Sequence, residues 1–153
     1  GGPHMNAIAG HAQALYEAQT PAFANYGKQI VKNAKALAAA LLAHDATLVT
    51  GGTDNHLMVL DVRPWNLDGM TAEHLLEANG IIANRNSVPG DPSPFKPSGI
   101  RMGTPSLTRR GMKEREMKLL AQYVHDILVE RKDRKKEVHA LCKKFSAKKY
   151  LKP

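Results

Sequence analysis

The stretch "SGIRMGTP", Ser98 to Pro105, sets one arginine between two glycines and ends on a Thr-Pro break. A guanidinium presents a planar fork of donors that meets a carboxylate in bidentate fashion, which an ammonium cannot do. Gly99 and Gly103 flank Arg101 and would let a ligand approach the backbone. A salt bridge to a carboxylate of the protein's own body is the competing role for the same side chain. A second candidate is "GGPH" at the start. Two glycines leading into a helix expose backbone N–H groups at the positive end of its dipole, a setting that suits phosphate.

Other chemistry finds less support. There are seven histidines, but no two stand at the i, i+3 or i, i+4 spacing that would place them on one helix face. His139 and Cys142 are three apart and would give only a two-ligand site. Cys142 is the single cysteine, so no internal disulfide forms, and it falls on the apolar side of the last helix, as a core residue would. No serine sits in a nucleophile elbow. "GGTDNH" has no phosphate-loop spacing and reads as a turn between strands, with Asp54 and Asn55 bonding nearby backbone.

The totals bound the class. A chain of 153 residues with 42% hydrophobic and 24% charged residues suits one soluble domain with a real core. No apolar run approaches the roughly 18 residues of a membrane helix. No basic-then-apolar signal segment opens the chain, which points to the cytoplasm. The net charge of +8 suggests nucleic acid at first sight. Yet residues 131–153 hold ten Lys/Arg against two Asp/Glu, and the rest of the chain balances. The basicity belongs to the tail, where a solvated helix face is the plain reading and a patch for an anionic partner the sharper one. The chain opens on Gly1 rather than Met, so it is expected to be a cut piece, a processed product or an engineered one, with Met5 as an alternative start.

These residues need elements to position them. Asn6 to Gln19 is Ala-rich with helical spacing. Thr20-Pro21 then caps a long helix to His44, with Phe23, Tyr26, Ile30, Ala34, Leu37 and Leu41 as its stripe. About 24 helical residues span roughly 36 Å, enough to link two bodies. "ATLVTGG" and "HLMVLDV" read as strands, the second buried on both faces. "DGMTAEHLLEANG" is a short helix with Thr71 as cap and Asn79-Gly80 as stop. "IIAN" and "GIRMG" are further strands, separated by the stiff loop "RNSVPGDPSPFKPSG". Helices follow over Met112–Arg131 and Arg134–Phe145. The expected class is α+β: a small mixed or antiparallel sheet covered by helices on one face, with a long N-terminal linking helix.

In order and spacing, "GGPHMNAIAG", "VTGGTDNHLMVLDV", "NRNSVPGDPSPF" and "SGIRMGTPSLTRRG" resemble the C-terminal part of serine hydroxymethyltransferases, from Gly1 to about Val129. The resemblance implies a pyridoxal-phosphate enzyme of fold type I, moving a one-carbon unit reversibly between serine and tetrahydrofolate. It implies that Arg101 grips the carboxylate of serine or glycine, and that Gly1 and Gly2 meet the cofactor phosphate across a homodimer or higher oligomer. It further implies that Asn86, Ser93, Pro94 and Phe95 contact the folate. Asn6 stands where the family often has His.

Residues 1–44 would then be the end of the large domain and the linking helix. Residues 45–131 would be the small domain, and 132–153 a basic helix and tail. The family's cofactor-carrying lysine lies upstream of the "GGP" glycines and has no counterpart here, so the chain alone is expected to be inactive. Two other classes remain: a free-standing, non-catalytic module of the same fold, binding folate or itself, and a nucleic-acid contact through the tail.

Overall fold

The computed structural model describes residues 2–147. Helix α1 spans Met5–Ala18 and α2 spans Pro21–Leu42. Strands β1, Thr47–Leu48, and β2, Leu57–Asp61, follow, then a 3₁₀ turn at Arg63–Trp65 and helix α3, Gly69–Ala78. Strands β3, Asn84–Asn86, and β4, Gly99–Gly103, enclose the proline-rich loop. Helices α4, Pro105–Arg109, α5, Glu114–Leu128, and α6, Lys135–Lys144, close the described chain. The class is α+β, as the element order implied. The sheet is antiparallel throughout, in the order β1-β2-β4-β3, so β4 is an inner strand.

The Thr20-Pro21 start of α2 forms as its residue types dictate. The Thr20 hydroxyl oxygen accepts from the Phe23 N–H at 3.2 Å, and Pro21 occupies a position where no N–H is needed. Only the second half of α2 is buried, from Asn33 to Leu41. Ala34, Leu37 and Leu41 pack against α5, whose inner face is Met117, Ala121, Val124 and Leu128. Met58 and Leu60 of β2 and Ile100 and Met102 of β4 supply the sheet's share of this core. Because side chains alternate across a strand, Leu57, Val59, Arg101, Asn84 and Asn86 take the opposite face. Among the described residues no helix covers that face, and Leu57 and Val59 are only half-buried. The expectation of a β2 buried on both sides is therefore corrected: one face is core, the other is open.

Three boundaries and one short element also differ from the reading of the sequence. Helix α3 is capped by Asp68, not Thr71; the Asp68 carboxylate accepts the Thr71 N–H at 2.7 Å and its hydroxyl at 3.2 Å. The helix stops as expected at Asn79-Gly80. Gly80 has φ +82, its N–H reaches Glu77 O at 2.8 Å, and Ile81 N–H reaches Leu76 O at 2.9 Å. That stop consumes Ile81, so pairing begins three residues later than "IIAN" suggested. Gly111, at φ +87, separates a short α4 from α5, which starts at Glu114 rather than Met112. The 3₁₀ turn at Arg63–Trp65 had no periodic signal to announce it.

The N-terminal part is unlike the rest. Every residue from 2 to 19 is exposed. Leu15 and Tyr16 keep 66% and 70% of their surface in water, and α1 buries nothing. At the other end, α6 lays Val138 into the core. Arg110 holds its last turn, donating from Nε to Phe145 O at 2.6 Å and from Nη2 to Cys142 O at 3.0 Å. Cys142 is half-buried against the core, in line with the structural role read for it. Residues 148–153 of the basic tail lie outside the described residues.

Candidate functional site

Arg101 projects from the middle of β4 on the open face of the sheet, opposite Val59 of β2 and Asn84 of β3. It is exposed, and among the described residues it forms no ion pair. The competing role, a salt bridge within the body, is therefore not the arrangement adopted. Nearby cations are committed elsewhere: Arg85 to Glu73 at 2.9 Å and Arg63 to Asp61 at 2.7 Å. A cavity of about 600 Å³ adjoins Arg101; His56, Asn84 and Arg110 line it beside apolar Leu37, Ile81 and Leu107.

The flanking glycines act differently from the sequence reading. Gly99 is buried, and a Cβ there would lie 2.5 Å from Val88 Cγ1 and 2.7 Å from Asn86 O. It admits protein packing, not a ligand. Gly103 is exposed, with His56 O 3.2 Å from the position of an added Cβ.

Behind Arg101, the Thr-Pro break locks β4 onto α2. Thr104 N–H donates to His56 O at 3.0 Å, and the Thr104 hydroxyl donates to Ile30 O at 2.9 Å. Thr108 Oγ1 donates to Thr104 O at 2.8 Å and accepts from Asn33 Nδ2 at 2.8 Å. Asn33, fully buried, also donates to Met112 O at 3.0 Å and accepts from Gln29 at 3.0 Å. Tyr26 OH adds a bond to Pro105 O at 3.0 Å. The strand that carries Arg101 thus ends in a closed polar network rather than a free loop.

Asn86 pairs with Gly99, so it is the diagonal neighbour of Arg101 on the same face. In an antiparallel ladder such neighbours sit roughly 7–8 Å apart. Its amide donates to Ser87 O at 3.4 Å. Ser93, Pro94 and Phe95 form the tip of the proline-rich loop. Ser93 Oγ accepts the Phe95 N–H at 3.2 Å, and the Phe95 ring is 91% exposed. Gly2 is exposed at the head of α1, with nothing within 4 Å of an added Cβ; Gly1 lies outside the described residues. Arg101, Asn86 and the loop thus belong to one sheet-and-loop unit, while Gly2 stands at the head of α1, which buries no residue.

"GGTDNH" is a turn built by its own side chains. Asn55 Oδ1 accepts from Leu57 N–H at 2.9 Å, and Thr53 Oγ1 donates to Leu57 O at 2.6 Å. Asp54, expected to bond local backbone, instead pairs with Lys35 of α2 at 3.1 Å. Among the described residues no cluster of three His, Cys, Asp or Glu could hold a metal ion. No described helix is long and apolar enough to cross a membrane.

Sequence reasoning missed Asp61, Arg63 and Asp91, which cluster at the base of the loop. Arg63 holds the Asp61 carboxyl below its ordinary range; that of Asp91 is lowered first by the Val88 N–H and then by the Ser98 side chain and N–H, with Arg63 adding least. The only hint was an Asp within a Gly-Pro turn, a residue type that bonds local backbone.

The residues that resemble a known family do so across most of the chain. A family model described as serine hydroxymethyltransferase matches residues 1–124. A serine hydroxymethyltransferase 2 of Mesorhizobium japonicum is 52% identical over 141 residues, covering 92% of this chain and 32% of the relative. The cytosolic serine hydroxymethyltransferase of Oryctolagus cuniculus is 50% identical over 125 residues, covering 82% and 26%. A serine hydroxymethyltransferase of Caenorhabditis briggsae is 48% identical over 126 residues, covering 82% and 25%. The chain spans about a quarter to a third of the length of these relatives. With its α+β fold and this extent of matching, the chain belongs to the serine hydroxymethyltransferase family.

Proposed function

We propose that this chain is the C-terminal part of an enzyme that moves a one-carbon unit reversibly between serine and tetrahydrofolate, giving glycine and 5,10-methylenetetrahydrofolate. The observation that carries the reading is Arg101, an exposed guanidinium without an ion-pair partner among the described residues, on the open face of a sheet in this family's fold. It would take the carboxylate of serine or glycine in a two-point grip and fix which bond of Cα faces the cofactor.

Asn86 stands beside it, and the Ser93–Pro94–Phe95 tip would form one wall for the folate. An exposed phenyl ring offers a flat apolar surface to an aromatic ligand. The cofactor of this reading is pyridoxal 5'-phosphate. When bound it supplies an electron sink for the bonds at the amino acid's Cα. The start of α1 fits its phosphate: Gly2 has open space around it, and no side chain caps the first turn, so its N–H groups are free to meet an anion.

In this reading residues 1–44 join the large domain, 45–131 form the small domain and 132–153 the basic end. The exposed apolar residues of α1, among them Met5, Leu15 and Tyr16, are the surface that the large domain or a second subunit covers. The cytoplasm is the compartment we assign. The chain alone is inactive, because the cofactor-carrying lysine motif is not in it.

Reconstitution tests this. The chain is mixed with the upstream part of the Mesorhizobium relative, and serine cleavage is followed with tetrahydrofolate and pyridoxal phosphate. Activity in the mixture and in neither part alone supports the reading. Two folded parts that associate without activity would overturn it.

A further inference from the structure

The proline-rich loop is longer than a connector needs to be, yet both of its ends are fixed. Val88 and Ser98 are ten residues apart, and one carboxylate oxygen joins them: Asp91 Oδ2 accepts the Val88 N–H at 2.8 Å and the Ser98 N–H at 3.0 Å. The Asp91 side chain is 4% exposed. Its other oxygen, Oδ1, is buried without a hydrogen bond and faces Arg63 Nη1 at 4.0 Å. Arg63 in turn grips Asp61, at the end of β2, and donates to Pro89 O at 3.1 Å. The far end of the loop is also pinned, with Ser98 O accepting from Val62 N–H at 3.0 Å and Pro97 O from Gly69 N–H at 2.9 Å. Between these anchors the tip is free of the body, and its phenyl ring stands in water.

We infer that Asp91 is the positioning residue of this loop. It closes the loop at its base, and Arg63 ties that closure to the sheet, so that Ser93, Pro94 and Phe95 are held ready at a fixed height beside Asn86. The inference rests on the reading of the tip as a folate wall. A carboxylate that accepts two backbone N–H groups and meets a guanidinium restricts the loop before ligand arrives. The ordering cost is then met in folding rather than in binding. A residue of this kind acts on folate affinity and leaves the amino-acid grip of Arg101 alone.

The test has two arms. In the 153-residue chain, Asp91→Ala should speed hydrogen exchange at the Val88 and Ser98 amides while the amides of β2 stay protected. In the complete protein it should raise the tetrahydrofolate Kd by about tenfold or more, the scale of one lost charge-assisted hydrogen bond. The glycine Kd should stay within about twofold. Asp91→Asn keeps an oxygen for both N–H groups and should recover most of the loop protection and affinity. Unchanged exchange at Val88 and Ser98 overturns the inference. So does a folate Kd that Phe95→Ala raises and Asp91→Ala does not. If neither substitution moves the folate Kd, the folate reading of the loop fails, and the inference with it.

Discussion

Replacing Asn33 with alanine removes the hub that ties α2 to the β4–α4 connection. The side chain is fully buried and makes three hydrogen bonds, to Thr108 Oγ1, Met112 O and Gln29 Nε2. Thr108 keeps its bond to Thr104 O, and Gln29 is partly in water, so neither is stranded. The Met112 carbonyl loses its side-chain donor, and the loss of such a partner to a buried group costs about 1–3 kcal/mol. The two remaining bonds contribute about 1 kcal/mol net between them once water is counted, and the small void adds somewhat more. The expected loss is about 2–4 kcal/mol, a large part of the ~5–15 kcal/mol a domain has. Urea unfolding of the 153-residue chain should show the midpoint falling with the m-value unchanged. A shift corresponding to less than ~0.5 kcal/mol, the range of an ordinary surface substitution, would refute the role of Asn33 as hub.

The cap of α3 can be tested by contrast. Asp68→Ala should cost about 1 kcal/mol and Thr71→Ala clearly less, read as urea midpoints; the reverse order would return the cap to Thr71. Acid stability follows from the carboxyls of Asp61, Asp91 and Asp126. Burial works against the Asp126 charge, but Gln122 and Arg134 outweigh it, so its pKa is lowered from 3.8, as are the other two, chiefly by Arg63 at Asp61 and the Val88 N–H at Asp91. The unfolded chain then binds these protons more readily. The stability they contribute is complete above the unfolded pKa near 3.8 and is lost as pH falls through the lower folded values. Thermal midpoints should hold from pH 7 to about 5 and drop steeply below about 4, and Asp126→Asn should flatten part of that slope. An acid limb unchanged by the substitution would remove Asp126 from the account.

The helices with strong periods were legible: α2, with its Thr20-Pro21 start and its stripe at Ala34, Leu37 and Leu41, and α5, with Met117, Val124 and Leu128, stand where the spacing put them. Strand β4 was legible because Gly99 and Gly103 bound a short run in which apolar Ile100 and Met102 alternate with Arg101. What spacing could not carry is tertiary. Whether Leu57 and Val59 face a helix layer or water depends on a layer that local sequence does not encode. The start of β3 moved because the Schellman stop at Gly80 uses Ile81, a three-residue detail. Gly99 looked like room for a ligand, but its space is filled by Val88 from across the loop, a contact between residues eleven apart. Of the loop's anchors, Asp61 and Arg63 are neighbours at the end of β2, but Asp91 belongs to a different segment, and only the fold brings it to them.

The most direct measurement is serine kinetics of the complete protein carrying Arg101→Lys. Lysine keeps the charge and loses the planar fork. If Arg101 holds the amino-acid carboxylate, kcat/KM for serine should fall about 10- to 100-fold, the range of ~1.5–3 kcal/mol for a lost charged hydrogen bond, with KM raised sharply. The KM for tetrahydrofolate should move far less. Near-native serine kinetics would remove Arg101 from the site and contradict the account.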